Sequence, residues 1–82
     1  MPTVLRFDRL RVVVYPNDHR PAHVHVIGGG CEAVFHLLCA HGSVELLENF
    51  GFSRSDIQRI RMALSENLFA LCSAWEQIHG SE

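Results

Sequence analysis

The feature that most constrains this chain is an apolar stripe in its last third. Ile57, Ile60, Leu64, Leu68, Leu71, Trp75 and Ile78 recur at three- and four-residue spacings. That is the period of a helix burying one face. Ser53, with Asp56 three residues later, resembles a capping box with Asp in place of the usual Glu or Gln. Gly80 supplies a stop. A straight helix over 53–79 would extend about 40 Å, whereas a five-residue strand spans only about 17 Å. Either the segment breaks near Ser65-Glu66-Asn67, or its overhanging half packs on a second copy of the chain.

What precedes the stripe reads as sheet. Residues 3–7 and 10–15 are β-branched and aromatic, and Asp8-Arg9 has the length of a two-residue hairpin loop. Pairing Phe7 with Leu10 sets Leu5 opposite Val12 and Arg6 opposite Arg11. One face then carries Leu5, Phe7, Leu10, Val12 and Val14; the other carries Val4, Arg6, Arg11, Val13 and Tyr15. A loop from Pro16 to Pro21 leads to a third strand, 23–27. Gly28-Gly29-Gly30 turns the chain into a fourth strand, 31–38. A three-residue loop there would set Ile27 opposite Cys31, His25 opposite Ala33 and His23 opposite Phe35. Residues 44–47 form a short fifth strand, and Phe50 and Phe52 close one end of the core. The expected fold is α+β: a small antiparallel sheet of four to five strands, about 3–48, with a C-terminal helical segment, about 53–79, on one face. The 82 residues are read as a single domain, 1–82.

Nearly half the residues are hydrophobic, which argues against disorder. No apolar run approaches membrane-spanning length. The opening Met1-Pro2-Thr3-Val4-Leu5-Arg6 does not look like a signal peptide, so a cytoplasmic setting is expected. The net charge is −2, and every basic residue is arginine. That argues against a dominant nucleic-acid footprint while leaving room for a local patch. Cys31, Cys39 and Cys72 are odd in number and show no CxxC, so reduced, mostly buried thiols are expected.

The densest chemistry lies in His19-Arg20-Pro21-Ala22-His23-Val24-His25. His23 and His25 are two apart on a strand, so both point to one face. Such a pair can supply two ligands to a transition metal, but further ligands are hard to find. Cys31 and His19 are the nearest candidates, and His36 falls on the opposite face in the expected register. No metal or cofactor is therefore expected. In the plain structural account His23 packs on Phe35 and His25 bonds to backbone. His19 and Arg20 sit in a loop, where Arg20 can hold a phosphate while a histidine moves a proton. That pairing is what a metal-independent ribonuclease needs; alternatively Asp18, His19 and Arg20 are ordinary solvated loop residues. The opposed Arg6 and Arg11 mark an anion or acidic-partner surface, or are relieved by Asp8, Glu45 or Glu48. The glycine run lacks the lysine and spacing of a phosphate loop.

The segments MPTVLRF, RVVVYPNDHRPAHVHV and GGGCEAVFHL, and the ENFGFSRSDIQRI…W ending, resemble an uncharacterised bacterial family, domain of unknown function 4160. The resemblance covers nearly the whole chain and centres on Pro21 to Val26. It also takes in Glu32-Ala33 and Trp75. Members often carry Gly where this chain has Arg9. The resemblance brings no established activity. It implies that some members belong to two-gene modules like toxin–antitoxin pairs, and it makes His23 and His25 the leading site residues.

Two readings follow. The first is a small non-catalytic interaction or regulatory module that forms a homodimer through its C-terminal helical segment, or pairs with another protein. The second is a metal-independent ribonuclease-like enzyme using His23, His25, His19 and Arg20, with RNA as its partner. A solvent-open pocket containing both histidines and Arg20 favours the enzyme; burial of both rings against Phe35 favours the module.

Overall fold

The computed structural model describes residues 3–80; Met1 and Pro2, which open the family-like first segment, lie outside them. Five strands follow one another in a fully antiparallel sheet of order β1-β2-β3-β4-β5: β1 (Thr3–Phe7), β2 (Leu10–Val13), β3 (His23–Gly28), β4 (Cys31–Leu38) and β5 (Ser43–Phe50). Two helices complete the chain, α1 (Arg54–Glu66) and α2 (Leu68–His79). The expected α+β architecture is the one observed.

The first hairpin has the expected register, with Phe7, Leu5 and Arg6 opposite Leu10, Val12 and Arg11. Its turn is two residues long. Asp8 and Arg9 both take left-handed backbone, at φ 49° and 67°, which matches the twist of the flanking strands but strains a side chain as large as arginine. Beyond Leu5 the ladder bulges, because Thr3 pairs with Val13. Val4 is the extra residue, and it packs toward the core rather than on the far face. β2 stops at Val13, short of Tyr15, although Val14 stays fully buried.

The second hairpin corrects the expected register. Gly28 joins β3 and pairs with Cys31, leaving Gly29 and Gly30, at φ 59° and 79°, as a two-residue turn. His25 therefore faces Val34 and His23 faces His36. A one-residue slip exchanges the faces of a strand. Phe35 goes to the helix side, where Arg61 lies 5.8 Å from its ring centroid, so His23 does not pack on it from across the sheet. Glu32 and His36 come to the side of His25. β5 is also longer than expected and takes in Phe50, which pairs with Glu32 and is 60% exposed. Of the two aromatics expected to close the core, only Phe52 packs against it.

The helical segment breaks at Asn67. Its backbone leaves helical geometry at φ −113° and ψ 18°, and its Nδ2 donates to the Ala63 carbonyl at 2.8 Å. The break lets both helices lie on one sheet face, with α1 beside β5 and α2 reaching β1 and β4. Ile57, Ile60, Leu64, Leu68, Leu71 and Trp75 are all buried in one cluster with Val12, Val24, Val26, Ala33, Phe35 and Leu37, and Ile78 packs against it. The stripe is thus covered within a single chain, and the overhang that motivated a helix-mediated homodimer does not arise. Among the described residues, no helix is long and apolar enough to cross a membrane.

The cysteines also differ from expectation. Cys39, just beyond β4, and Cys72 on α2 form a disulfide across a Cα–Cα distance of 6.2 Å, leaving Cys31 as the free thiol. The crossing of α2 over the end of β4 brings the two together, a proximity that their spacing of 33 residues does not reveal.

Candidate functional site

Cross-strand partners point to the same side of a sheet, so the register assigns the face away from the helices row by row. One row holds Arg6, Arg11, Ile27, Glu32 and Phe50. The next holds Val13, His25, Val34 and Glu48. At the end of the sheet, His23, His36 and Glu45 form a third. Arginines lie toward β1 and β2, carboxylates toward β4 and β5.

The loop between β2 and β3 closes over the His23–His25 end. A turn is fixed by the Asp18 amide donating to the Tyr15 carbonyl at 3.0 Å. In return the Tyr15 amide donates to Asp18 Oδ2 at 3.1 Å. This pins the carboxylate against the histidines, where its side chain is only 15% exposed. Asp18 Oδ2 lies 3.3 Å from His25 Nε2 and 3.5 Å from His23 Nε2. The opposite ring nitrogens are also occupied: His25 Nδ1 meets Glu32 Oε2 at 3.2 Å, and His23 Nδ1 meets the Pro21 carbonyl at 2.9 Å. Tyr15 approaches the His25 ring edge-on at 4.6 Å, and the two imidazole centroids are 5.3 Å apart.

The carbonyl and the carboxylate at Nδ1 favour one assignment of the ring protons. A carbonyl and a carboxylate only accept, so Nδ1–H is the donor in both rings, and in the neutral form each Nε2 carries a lone pair. Both Nε2 atoms then lie beside an anionic oxygen. His25 Nε2 is buried and makes no hydrogen bond, although Asp18 Oδ2 is within ion-pairing distance. The proximity is real; the angles of a hydrogen bond are not met. Such an arrangement is stable when a positive charge, either a proton or a metal ion, sits among the three atoms.

The rings open onto a cleft lined by His19, Arg20, Pro21, His23, His25, Val34, Leu47 and Glu48. Arg20 reaches the C-terminal end of α2, where its Nη2 donates to the Gly80 carbonyl at 3.3 Å. The four residues singled out from sequence, His19, Arg20, His23 and His25, therefore share one hollow. His36 joins their face but turns to Glu45, with Nδ1 3.6 Å from Oε1. Cys31 opens β4 opposite Gly28, its thiol directed to the Gly29 carbonyl, and takes no part. Sequence reasoning missed two members. Glu32 is concealed by the register slip, and Asp18 reads as a solvated loop residue. The Pro16-Asn17-Asp18 turn signal was visible in the sequence, but where it delivers the carboxylate was not.

A family model described as a domain of unknown function, DUF4160, matches residues 10–76. That span contains Asp18, His19, Arg20, His23, His25 and Glu32. No curated protein and no solved structure matches the chain.

Proposed function

The chain belongs to the DUF4160 family, a domain of unknown function, and from its own side chains we propose that it is a small ribonuclease-like enzyme working by acid–base chemistry on two histidines. The observation that carries this reading is the cleft: His23 and His25 line an open hollow together with His19 and Arg20. In the reaction one imidazole takes the proton of an RNA 2′-hydroxyl as its oxygen attacks the adjacent phosphorus. The bond to the 5′-oxygen breaks, and the second imidazole, protonated, gives that oxygen its proton. The products are a 2′,3′-cyclic phosphate and a 5′-hydroxyl. Once Asp18 moves aside from the buried His25 Nε2, His25, oriented by Glu32, suits the base, and His23, held by the Pro21 carbonyl, suits the acid. Asp18 stabilises whichever ring is cationic. Arg20 and His19 offer donors to the phosphate, and Arg11 and Arg6 extend the basic side of the face.

No protein metal is required, so the test uses chelator-treated protein and a mixed-sequence RNA. Cleavage leaving cyclic-phosphate ends, with DNA of the same sequence untouched, supports the reading; intact RNA retires it.

A second reading, a non-catalytic module that pairs with itself or with a partner as in toxin–antitoxin-like modules, draws on a different observation. Phe69 and Met62 are 86% and 62% exposed on the helices, apolar side chains that another chain could cover. Both readings take the cytoplasm as their setting, where reductants would oppose the Cys39–Cys72 bridge.

A further inference from the structure

We propose that Asp18, His23 and His25 form a binding site for one divalent transition-metal ion of the zinc class. Three independent features converge. The first is spacing. In a tetrahedral zinc site, with bonds near 2.0–2.1 Å, neighbouring ligand atoms are about 3.3 Å apart. Asp18 Oδ2 stands 3.3 Å from His25 Nε2 and 3.5 Å from His23 Nε2, and one potential ligand atom from each of the three residues lies within 4.8 Å of the others. The second is protonation. With Nδ1–H assigned to Glu32 in one ring and to the Pro21 carbonyl in the other, each neutral ring keeps an Nε2 lone pair within 3.5 Å of the carboxylate oxygen. Ligating histidines are commonly held in this way, by a carboxylate or a carbonyl on the second nitrogen. The third is the buried His25 Nε2, which has no hydrogen-bond partner despite its position beside Asp18. A cation bound between them satisfies it.

The donor set selects the ion. Two imidazoles and one carboxylate suit zinc, cobalt, nickel or copper, whereas magnesium and calcium prefer oxygen ligands throughout. Three protein ligands beside a cleft leave a fourth position for water or a small ligand, the pattern of an open rather than a structural site. Most of the hydrophobic core lies on the other side of the sheet, with Trp75 reaching the His23 ring at 5.3 Å, so the fold should stand without the ion.

This inference goes beyond the ribonuclease reading and does not rest on it. The ion would occupy the same Nε2 atoms that acid–base cleavage needs, so metal-loaded protein should be inactive on RNA. The experiment uses the untagged full chain, stripped with chelator. Cobalt(II) is titrated while its visible absorption is followed, and zinc binding is measured by calorimetry. The expected result is one ion per chain with a tetrahedral cobalt spectrum. Asp18→Asn and His25→Ala should each weaken binding by at least about 10-fold, and Glu32→Gln by about 10- to 100-fold. His36→Ala, on the same face, should leave it unchanged. Asp18→Asn is nearly isosteric and decides the matter if His25→Ala proves unstable by circular dichroism. Absence of binding, or equal binding by the Asp18→Asn and His36→Ala variants, overturns the site. RNA cleavage by the stripped protein is scored separately, so loss of one proposal is distinguishable from loss of the other.

Discussion

Asp18 Oδ2 sits 3.3 Å from His25 Nε2 without hydrogen-bonding to it. That contact joins a loop to the middle of the sheet and makes the site a unit. The backbone amide of Tyr15 holds the carboxylate, and Glu32 holds the far side of the ring. Neither histidine is free to turn, which is the preorganisation that both a catalytic pair and a metal site require.

The core on the opposite face should behave as a conventional one. Leu64 is fully buried among the sheet and helix residues. Leu64→Ala should cost roughly 2–4 kcal/mol, measured by denaturant melt. A loss below about 0.5 kcal/mol would contradict its place there.

Trp75 separates a core role from an interface role. It is 1% exposed, stacks on His79 at 3.9 Å and approaches the His23 ring at 5.3 Å. Trp75→Ala should destabilise the chain by about 3–5 kcal/mol and leave the sedimentation mass of the folded fraction unchanged. A stable variant that dissociates from dimer to monomer would restore the helical stripe as an interface.

The disulfide predicts a thiol count. Denatured without reductant, the protein should show one reactive thiol, Cys31; reduced, it should show three. By the chain-entropy estimate, closing the loop between Cys39 and Cys72 contributes about 3–4 kcal/mol, so reductant should lower the melting temperature. Cytosolic reductants keep most thiols free. Three reactive thiols in protein purified without reductant would contradict the bridge.

The start of α1 carries an acid-sensitive contribution. The Arg59 guanidinium, and then Ser53, hydrogen-bond the Asp56 carboxyl and hold it below its ordinary value of 3.8. A carboxyl depressed by folding adds stability above its unfolded pKa and loses it as pH falls through the folded value. Wild type and Asp56→Asn should therefore differ near neutrality and converge in acid, in melts at a series of pH values. Ser53→Ala should cost about 0.5–2 kcal/mol, because it removes the acceptor for the Asp56 amide at 3.0 Å.

The parts of this structure legible in sequence are those governed by periodicity. The spacing from Ile57 to Ile78 places a helical face whatever the sheet register, and two-residue alternation puts His23 and His25 on one side. The break at Asn67 was one of two solutions to a length problem, and packing chose it. What stayed hidden depends on counting within a turn or on a path through space. One residue in the Gly28–Gly30 turn decides whether Glu32 or Ala33 joins the histidines. Asp18 reaches them through the Tyr15–Asp18 turn, and Cys39 meets Cys72 only after α2 has packed.

The most direct test of the enzyme reading compares three chelator-treated proteins on one RNA: wild type, His25→Ala and His36→Ala. His25 and His36 lie on the same sheet face, but only His25 lines the cleft with Arg20 and touches Asp18. A histidine acting as general acid or base contributes roughly 10²–10⁴-fold. The expected result is cleavage to cyclic-phosphate ends by wild type and by His36→Ala at similar rates, with His25→Ala slower by at least about 10²-fold while still folded. No cleavage by wild type, or equal rates for wild type and His25→Ala, would contradict the account.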